Sequence, residues 1–518
     1  MVGVVALPEQ MIAKLNQRIP AQWKTCFWSA LAVGLLAHLY KLTNWLPNWD
    51  SLVFRYDPQN MLGLGRWFLP VACGFSSFYD LPWLAGLLAL VFHALGAVCI
   101  CRMFAVQKKV TAALIGAMVV TFPTVTSVLM YNYVADGYAL SFLLACGAAC
   151  CLTQDKPRYP AAILLIALSV GIYQAYITVT VMLLLCWLIR QTLQTGVTAK
   201  TVLFQSGKLL VAGAIGMILY YLVLNLLLKV TGTQLIDYQG VKSAISLTEL
   251  DWLGSLYAIK HSFLRFFFDP SGGLAAHHII NGAVFAVTIL LYFCDAIKAK
   301  LNLPKWLMLA LWVVLLPVGA SLLAFINSGV DYHNLMKMGF CVFYLLFLLQ
   351  YEQTQFQKEA FNRVKLWTIL LTAVALVFSQ TLIANISYHK LTMAYEKSYG
   401  ILIRIADRIE QTDGAAECNR ILVAGSLPQS AAYSADIALE MTGTTDGLIL
   451  RADDETVAQS VFCSALNDYC GTNYRFVAGE EKTNLLEQIG ADALGVWPER
   501  NAILVVDDVI VISLGRQP

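Results

Sequence analysis

Charge is what this chain has least of. Lys, Arg, Asp and Glu make up 13% of the 518 residues, against 58% hydrophobic, about half the charged share of an ordinary soluble domain. That excludes a wholly soluble globular protein. The formal charge is only +2, and no basic run interleaved with aromatics is present, so nothing here suits a nucleic-acid partner. A cleavable leader is not expected, because Pro8, Glu9 and Lys14 interrupt the N-terminus before any short apolar core. Metal-ligand spacing is missing as well. Ten of the thirteen cysteines sit in or beside apolar runs, where a thiol behaves as a small apolar side chain. His277 and His278 are adjacent, about 100° apart on a helix, and do not form the i, i+4 pair of a zinc site. No cofactor is predicted, and a divalent-metal requirement stays open.

Long apolar runs are what the chain has instead. Segments near 25–43, 80–103, 109–130, 135–153, 160–174, 176–190, 206–229, 275–296, 306–326, 336–350 and 364–386 approach the roughly 20 residues that cross the hydrocarbon core. The predicted fold is an all-α polytopic membrane bundle of about 11 transmembrane helices, residues 1–386. Lys14, Arg18 and Lys24, then Arg102, Lys108 and Lys109, then Lys156 and Arg158, Arg190, Lys200 and Lys208, Lys298, Lys300 and Lys305, and Lys358, Arg363 and Lys365 fall on alternate connections. Short cationic loops are retained in the cytoplasm. The N-terminus is therefore expected inside, with Gln10 to Ile19 lying along the inner face.

After Ile386 the apolar runs stop. Leu391, Tyr395, Leu402, Ile405 and Ile409 keep helical spacing, RILVA (420–424) reads as a buried strand, and NAILVV and VIVISL read as two strands joined at Asp507-Asp508. Residues 387–518 are expected to form a small extracytoplasmic α/β domain. Gly425 stands alone after the first strand, so no nucleotide-binding loop follows it. Cys418, Cys463 and Cys470 allow one bridge, and a Cys463–Cys470 bond is an open possibility.

Chemistry concentrates in the first outward loop, Asn44 to Pro70, which carries Asp50, Asp57 and Arg66 among Trp45, Trp49, Phe54 and Tyr56. A carboxylate there can accept a proton from a hydroxyl, and Arg66 can fork onto a phosphate or pair with Asp57. Asp136 opens a span after Tyr131 and Tyr133; at that depth it is expected to face a polar cavity or another helix. Gln174, with Tyr173 and Tyr176, can bind sugar hydroxyls or glue helices together. In the loop 231–275, Thr248 is a candidate N-cap. Leu250, Leu253, Leu256, Phe263, Leu264 and Phe267 outline an apolar face beside Lys260 and Arg265. Those cations, with Lys242, suit lipid phosphate.

Three ordered blocks carry a family resemblance. WDSL (49–52) followed by LGLGRWFLP (62–70), VADGYALSFLLA (134–145) and GIYQAYITV (171–179) resemble segments of the bacterial glucosyl transferase GtrII family. Trp49 stands where that family has a histidine. The resemblance implies a GT-C-type glycosyltransferase of the plasma membrane. Such an enzyme takes a hexose, most often glucose, from a polyprenyl-phosphate donor and passes it, with inversion, to a surface glycan acceptor outside the cell. It implies Asp50 as base, and Asp57 and Asp136 are expected to assist. Arg66 is expected near the donor phosphate, with Lys242, Lys260, Arg265 and His278 as alternative phosphate partners. Tyr138, Tyr173, Gln174, Tyr176, Asp331 and His333 are candidates for sugar or acceptor. A lipid-linked glycan transporter or flippase, a polysaccharide polymerase and a surface receptor are the alternatives. Against transport, the acidic residues gather at span ends rather than the midplane, and no repeated halves are evident.

Overall fold

The computed structural model describes residues 7–53, 61–76, 79–236, 251–268, 275–326, 332–354, 360–425, 441, 455–490 and 493–515. Its helices are α1 (Pro8–Arg18), α2 (Ala21–Thr43), α3 (Trp49–Val53), α4 (Leu69–Cys73), α5 (Pro82–Met103), α6 (Lys109–Thr121), α7 (Pro123–Met130), α8 (Asn132–Leu152), α9 (Tyr159–Ile172), α10 (Ile177–Leu193), α11 (Ala199–Thr231), α12 (Trp252–Phe268), α13 (Ala275–Lys298), α14 (Leu303–Ala320), α15 (Leu322–Ile326), α16 (Cys341–Gln353), α17 (Ala360–Glu410), α18 (Glu455–Cys470) and α19 (Glu480–Ile489). Among the described residues nine helices are long and apolar enough to span a bilayer, or ten if α6 and α7, bent by 42°, are one span. Pro123 causes that break, since its ring cannot continue the helix from Phe122. Helix α9 has 14 residues. The expected figure of about eleven is reached only by counting it, although it falls short of a perpendicular crossing.

Helices pack here through small residues and buried polar links, because lipid offers no hydrophobic drive between them. A Cβ on Gly116 of α6 would collide with the carbonyl oxygen of Cys26 on α2, so glycine permits that close approach. His38 of α2 meets the Tyr388 hydroxyl at 2.7 Å and the Val120 carbonyl at 2.9 Å, tying three helices together. His277 reaches Ser379 at 2.8 Å and Asn281 at 3.1 Å, and Tyr344 donates to Asn281 at 2.7 Å. Large apolar side chains such as Leu36, Leu210, Val230 and Ile279 point outward instead.

Helix α12 divides its apolar residues between protein and the outer surface of the bundle. Leu253, Leu256 and Leu264 are exposed, while Ser255, Ile259, Ser262 and Phe267 are buried. Lys260, His261 and Arg265 are exposed along with the leucines, while the small residues Ser255 and Ser262 face protein, as packing between membrane helices favours. Asp251 caps the helix, accepting from the Gly254 amide at 3.0 Å. Thr248 lies outside the described residues.

Helix α17 carries the chain without a break from the bundle into a C-terminal α/β unit. Strands β1 (Arg420–Ala424), β2 (Arg475–Phe476), β3 (Ile503–Val506) and β4 (Val509–Ser513) form one sheet in the order β2-β1-β4-β3. Strand β1 is parallel to β2 and β4, and β3 is antiparallel to β4. The two-residue period sorts the apolar run. Ile421, Val423, Ile510 and Ile512 pack with the end of α17 and with α18, whereas Leu422, Ala424, Val509 and Val511 pack with Leu485 of α19. A sheet covered on both faces needs continuous apolar strands, which explains the RILVA and VIVIS patterns. Cys463 and Cys470 both lie on α18. Seven residues of helix separate their Cα atoms by about 10.5 Å, too far for a bridge, so that possibility is withdrawn.

Candidate active site

The Asp50 helix is started by its own sequence. Asn48, fully buried, accepts from the Ser51 amide at 3.0 Å and from the Ser51 hydroxyl at 3.1 Å, capping the single turn α3. Asp50 is partly buried, and loss of hydration pushes its carboxyl up to about 7. The Arg66 cation and a hydrogen bond from Tyr133 oppose that rise. A carboxyl poised there exchanges protons near neutral pH.

Arg66 acts on this carboxylate electrostatically from a tightly wound loop. Met61 to Leu64 make a 3₁₀ turn, Gly65 takes φ +74°, and the Arg66 amide closes back on the Met61 carbonyl at 3.0 Å. A Cβ at Gly65 would stand 2.6 Å from the Tyr220 hydroxyl and 2.8 Å from Gln174 Nε2, so both backbone conformation and space demand glycine. The same two side chains hold the loop. Gln174 Nε2 donates to the Leu64 carbonyl at 2.8 Å and the Tyr220 hydroxyl donates to the Gly65 carbonyl at 3.0 Å. Phe68 donates to the Gly171 carbonyl at 2.8 Å, and Ile236 to that of Gly63 at 2.8 Å.

The guanidinium then rests on an aromatic pair. Arg66 Nη1 donates to the Tyr138 hydroxyl at 3.0 Å, and the guanidinium carbon lies 4.8 Å from the Tyr173 ring centre. Tyr138 and Tyr173 stack at 4.5 Å with an 11° tilt. Tyr176 stands edge-on behind Tyr173 at 6.0 Å and is buried. All three sequence blocks therefore meet at one loop: Asp50 and Arg66 from the first, Tyr138 from the second, Tyr173 and Gln174 from the third.

Asp136 lies one turn from Tyr133 but is fully buried. Its Oδ1 accepts from the Gly137 amide at 3.0 Å, and its carboxylate is hydrogen-bonded to Ser76 at the end of the α4 segment. It ties α8 to that segment. His333 precedes the 3₁₀ turn Asn334–Phe340, and its neighbour Tyr332 lies within electrostatic reach of Tyr173. Lys260 and Arg265 are exposed on α12, and His278 sits edge-on to His277 at 5.7 Å. Asp57, Lys242 and Asp331 lie outside the described residues. Among the described residues no three His, Cys, Asp or Glu side chains could hold a metal ion.

Sequence reasoning missed three participants. Tyr220 sits in an apolar span with no local signal, while Tyr133 was visible only as a neighbour of Asp136. Lys41, in the last turn of α2, is fully buried and donates to the Leu46 carbonyl at 2.6 Å. Asp80 lies close enough to stabilise its charge and accepts from Trp45 Nε1 at 3.0 Å. A separate apolar cavity of about 470 Å³ lies among α12, α13, α14 and α16, lined by residues including Phe263, Phe285, Tyr292, Trp306 and Phe343.

Comparison with known proteins adds one finding. The family model of glucosyl transferase GtrII matches residues 39–402, well over half of the chain and all three blocks of the site. No curated protein and no solved structure matches. The chain therefore belongs to the glucosyl transferase GtrII family.

Proposed function

We propose that this membrane glycosyltransferase moves a hexose, glucose in the simplest case, from a polyprenyl-phosphate carrier to a surface glycan, with inversion, at the extracytoplasmic face of the plasma membrane. Support comes chiefly from one observation: the three blocks fold into a single cluster that sets the Asp50 carboxyl near the Arg66 guanidinium. In this reading Arg66 stabilises the phosphate as it leaves, and Asp50 takes the proton of the attacking hydroxyl. Tyr138 and Tyr173 hold Arg66 in place beside the sugar. Asp136 supports the α8 end of the site. The apolar cavity has room for part of an isoprenoid chain. Lys260, Arg265 and His278 are left for headgroup phosphate, and residues 387–518 are assigned to the outer side together with the site.

The test is transfer in proteoliposomes supplied with polyprenyl-phosphate hexoses, comparing wild type with Asp50→Asn. Loss of a positioned base predicts a fall in kcat of roughly 10²–10⁴-fold with donor binding retained. Full activity in that variant would move the role to Asp57 or Asp136. Absence of transfer by wild type with every lipid-phosphate sugar would favour transport.

A further inference from the structure

The helix that carries Asp50 is covered by the C-terminal domain as well as by the bundle. Leu52, 4% exposed, shares a hydrophobic cluster with Ile405 and Ile409 of α17, Phe462 of α18 and Ile512 of β4. Trp45 stacks on Tyr469 of α18, with ring centres 5.9 Å apart and a 28° tilt. Tyr469 is itself held edge-on by Tyr395 at 6.1 Å and Tyr399 at 5.8 Å. The other edge of Trp45 donates to Asp80, so this indole bridges the two parts of the molecule. Met441 makes a second seam: its sulfur accepts from the Ser127 hydroxyl at 3.0 Å, and it packs with Leu46, Met130 and Tyr388. Both ends of the segment from Leu46 to Leu52 are thus covered by side chains from beyond residue 402, where the family match ends.

A five-residue helix cannot hold itself in place. One turn lies far below the length at which helices are stable alone, so the position of α3 is set by what packs on it. We propose that the C-terminal domain is a positioning element of the reaction site, with the Tyr469–Trp45 stack and the covered Leu52 holding the Asp50 helix in register with Arg66. This rests on the reading of Asp50 as the base. Tyr469 acts through its stack on Trp45 and so through α3.

The experiment compares Tyr469→Ala and Tyr469→Phe in the full chain, in nanodiscs, by transfer kinetics and by hydrogen exchange of the peptide spanning 45–53. Displacement of a reacting group by about 1 Å can cost up to about 100-fold. Tyr469→Ala is expected to lower kcat by roughly tenfold or more, with the donor KM within about twofold of wild type. Exchange over 45–53 should quicken while α5 and α8 stay protected, and Tyr469→Phe, which keeps the stack, should restore both readouts. Unchanged kcat in Tyr469→Ala, unchanged exchange over 45–53, or equal loosening of α5 and α8 would each overturn the proposal. If wild type transfers no lipid-phosphate sugar, the transferase reading fails, whereas dependence of the 45–53 protection on Tyr469 still reports whether the domain holds this helix.

Discussion

Asp50 sits in a contest that fixes how activity should respond to pH. Burial outweighs Arg66 and Tyr133, which favour the ionised form, and leaves its carboxyl at about 7. A base must be ionised to act, so transfer is expected to rise with pH through an acidic limb centred near 7. Replacing Arg66 with Gln removes a downward influence, and the limb should move to higher pH. A pH profile of kcat/KM for both forms measures this; a limb that stays put would separate Asp50 from Arg66 in function. Arg66→Lys keeps the charge but loses the flat fork that lies over Tyr173 and reaches Tyr138, so it should remain impaired.

The loop from Met61 to Phe68 shows what the sequence told and what it hid. Gly65→Ala forces a side chain into a positive-φ position already closed by Tyr220 and Gln174, and should cost about 1–3 kcal/mol. Thermal unfolding in detergent would show it as a lowered Tm, accompanied by loss of transfer as Arg66 is displaced. Asp50, Arg66, Tyr173 and Gln174 were legible because they stand in ordered blocks. Tyr220 was not, since a tyrosine in an apolar span looks the same whether it holds a loop or meets lipid. Spans were readable because bilayer thickness imposes their length, and β1, β3 and β4 because a doubly covered sheet needs unbroken apolar strands. The buried face of α12 was not, because hydrophobic periodicity assumes water on the other side. Nor was the packing of Leu52 against Phe462, because contacts so distant in sequence leave no local pattern.

At the scale of the whole molecule, the site and the C-terminal domain lie at one end of the bundle, and the alternation of cationic loops predicts which side of the membrane that is. Cys418 and Cys470, both partly exposed, should react with a membrane-impermeant maleimide applied to intact spheroplasts. Cys151, at the far end of α8 and followed by Lys156 and Arg158, should react only after permeabilisation. Peptide mapping of the label distinguishes the two orientations, and the reverse pattern would place the site inside the cell. The junction of the two parts is also why the C-terminal region cannot be treated as an appendage. It contributes to the hydrophobic cluster around Leu52, and it sends Met441 against Ser127.

Helix α17 runs unbroken for 51 residues, about 75 Å at 1.5 Å per residue. Such a shaft gears the azimuth of the C-terminal domain to that of the last membrane span. One residue added between Leu391 and Leu402 would rotate everything beyond it by about 100° and lift it by about 1.5 Å, carrying α18 away from Trp45. A seven-residue addition would nearly recover the angle but raise the domain by about 10.5 Å. In the proposed arrangement, helical phase in α17, well away from Asp50 in sequence, sets the register of the Asp50 helix through the domain that covers it.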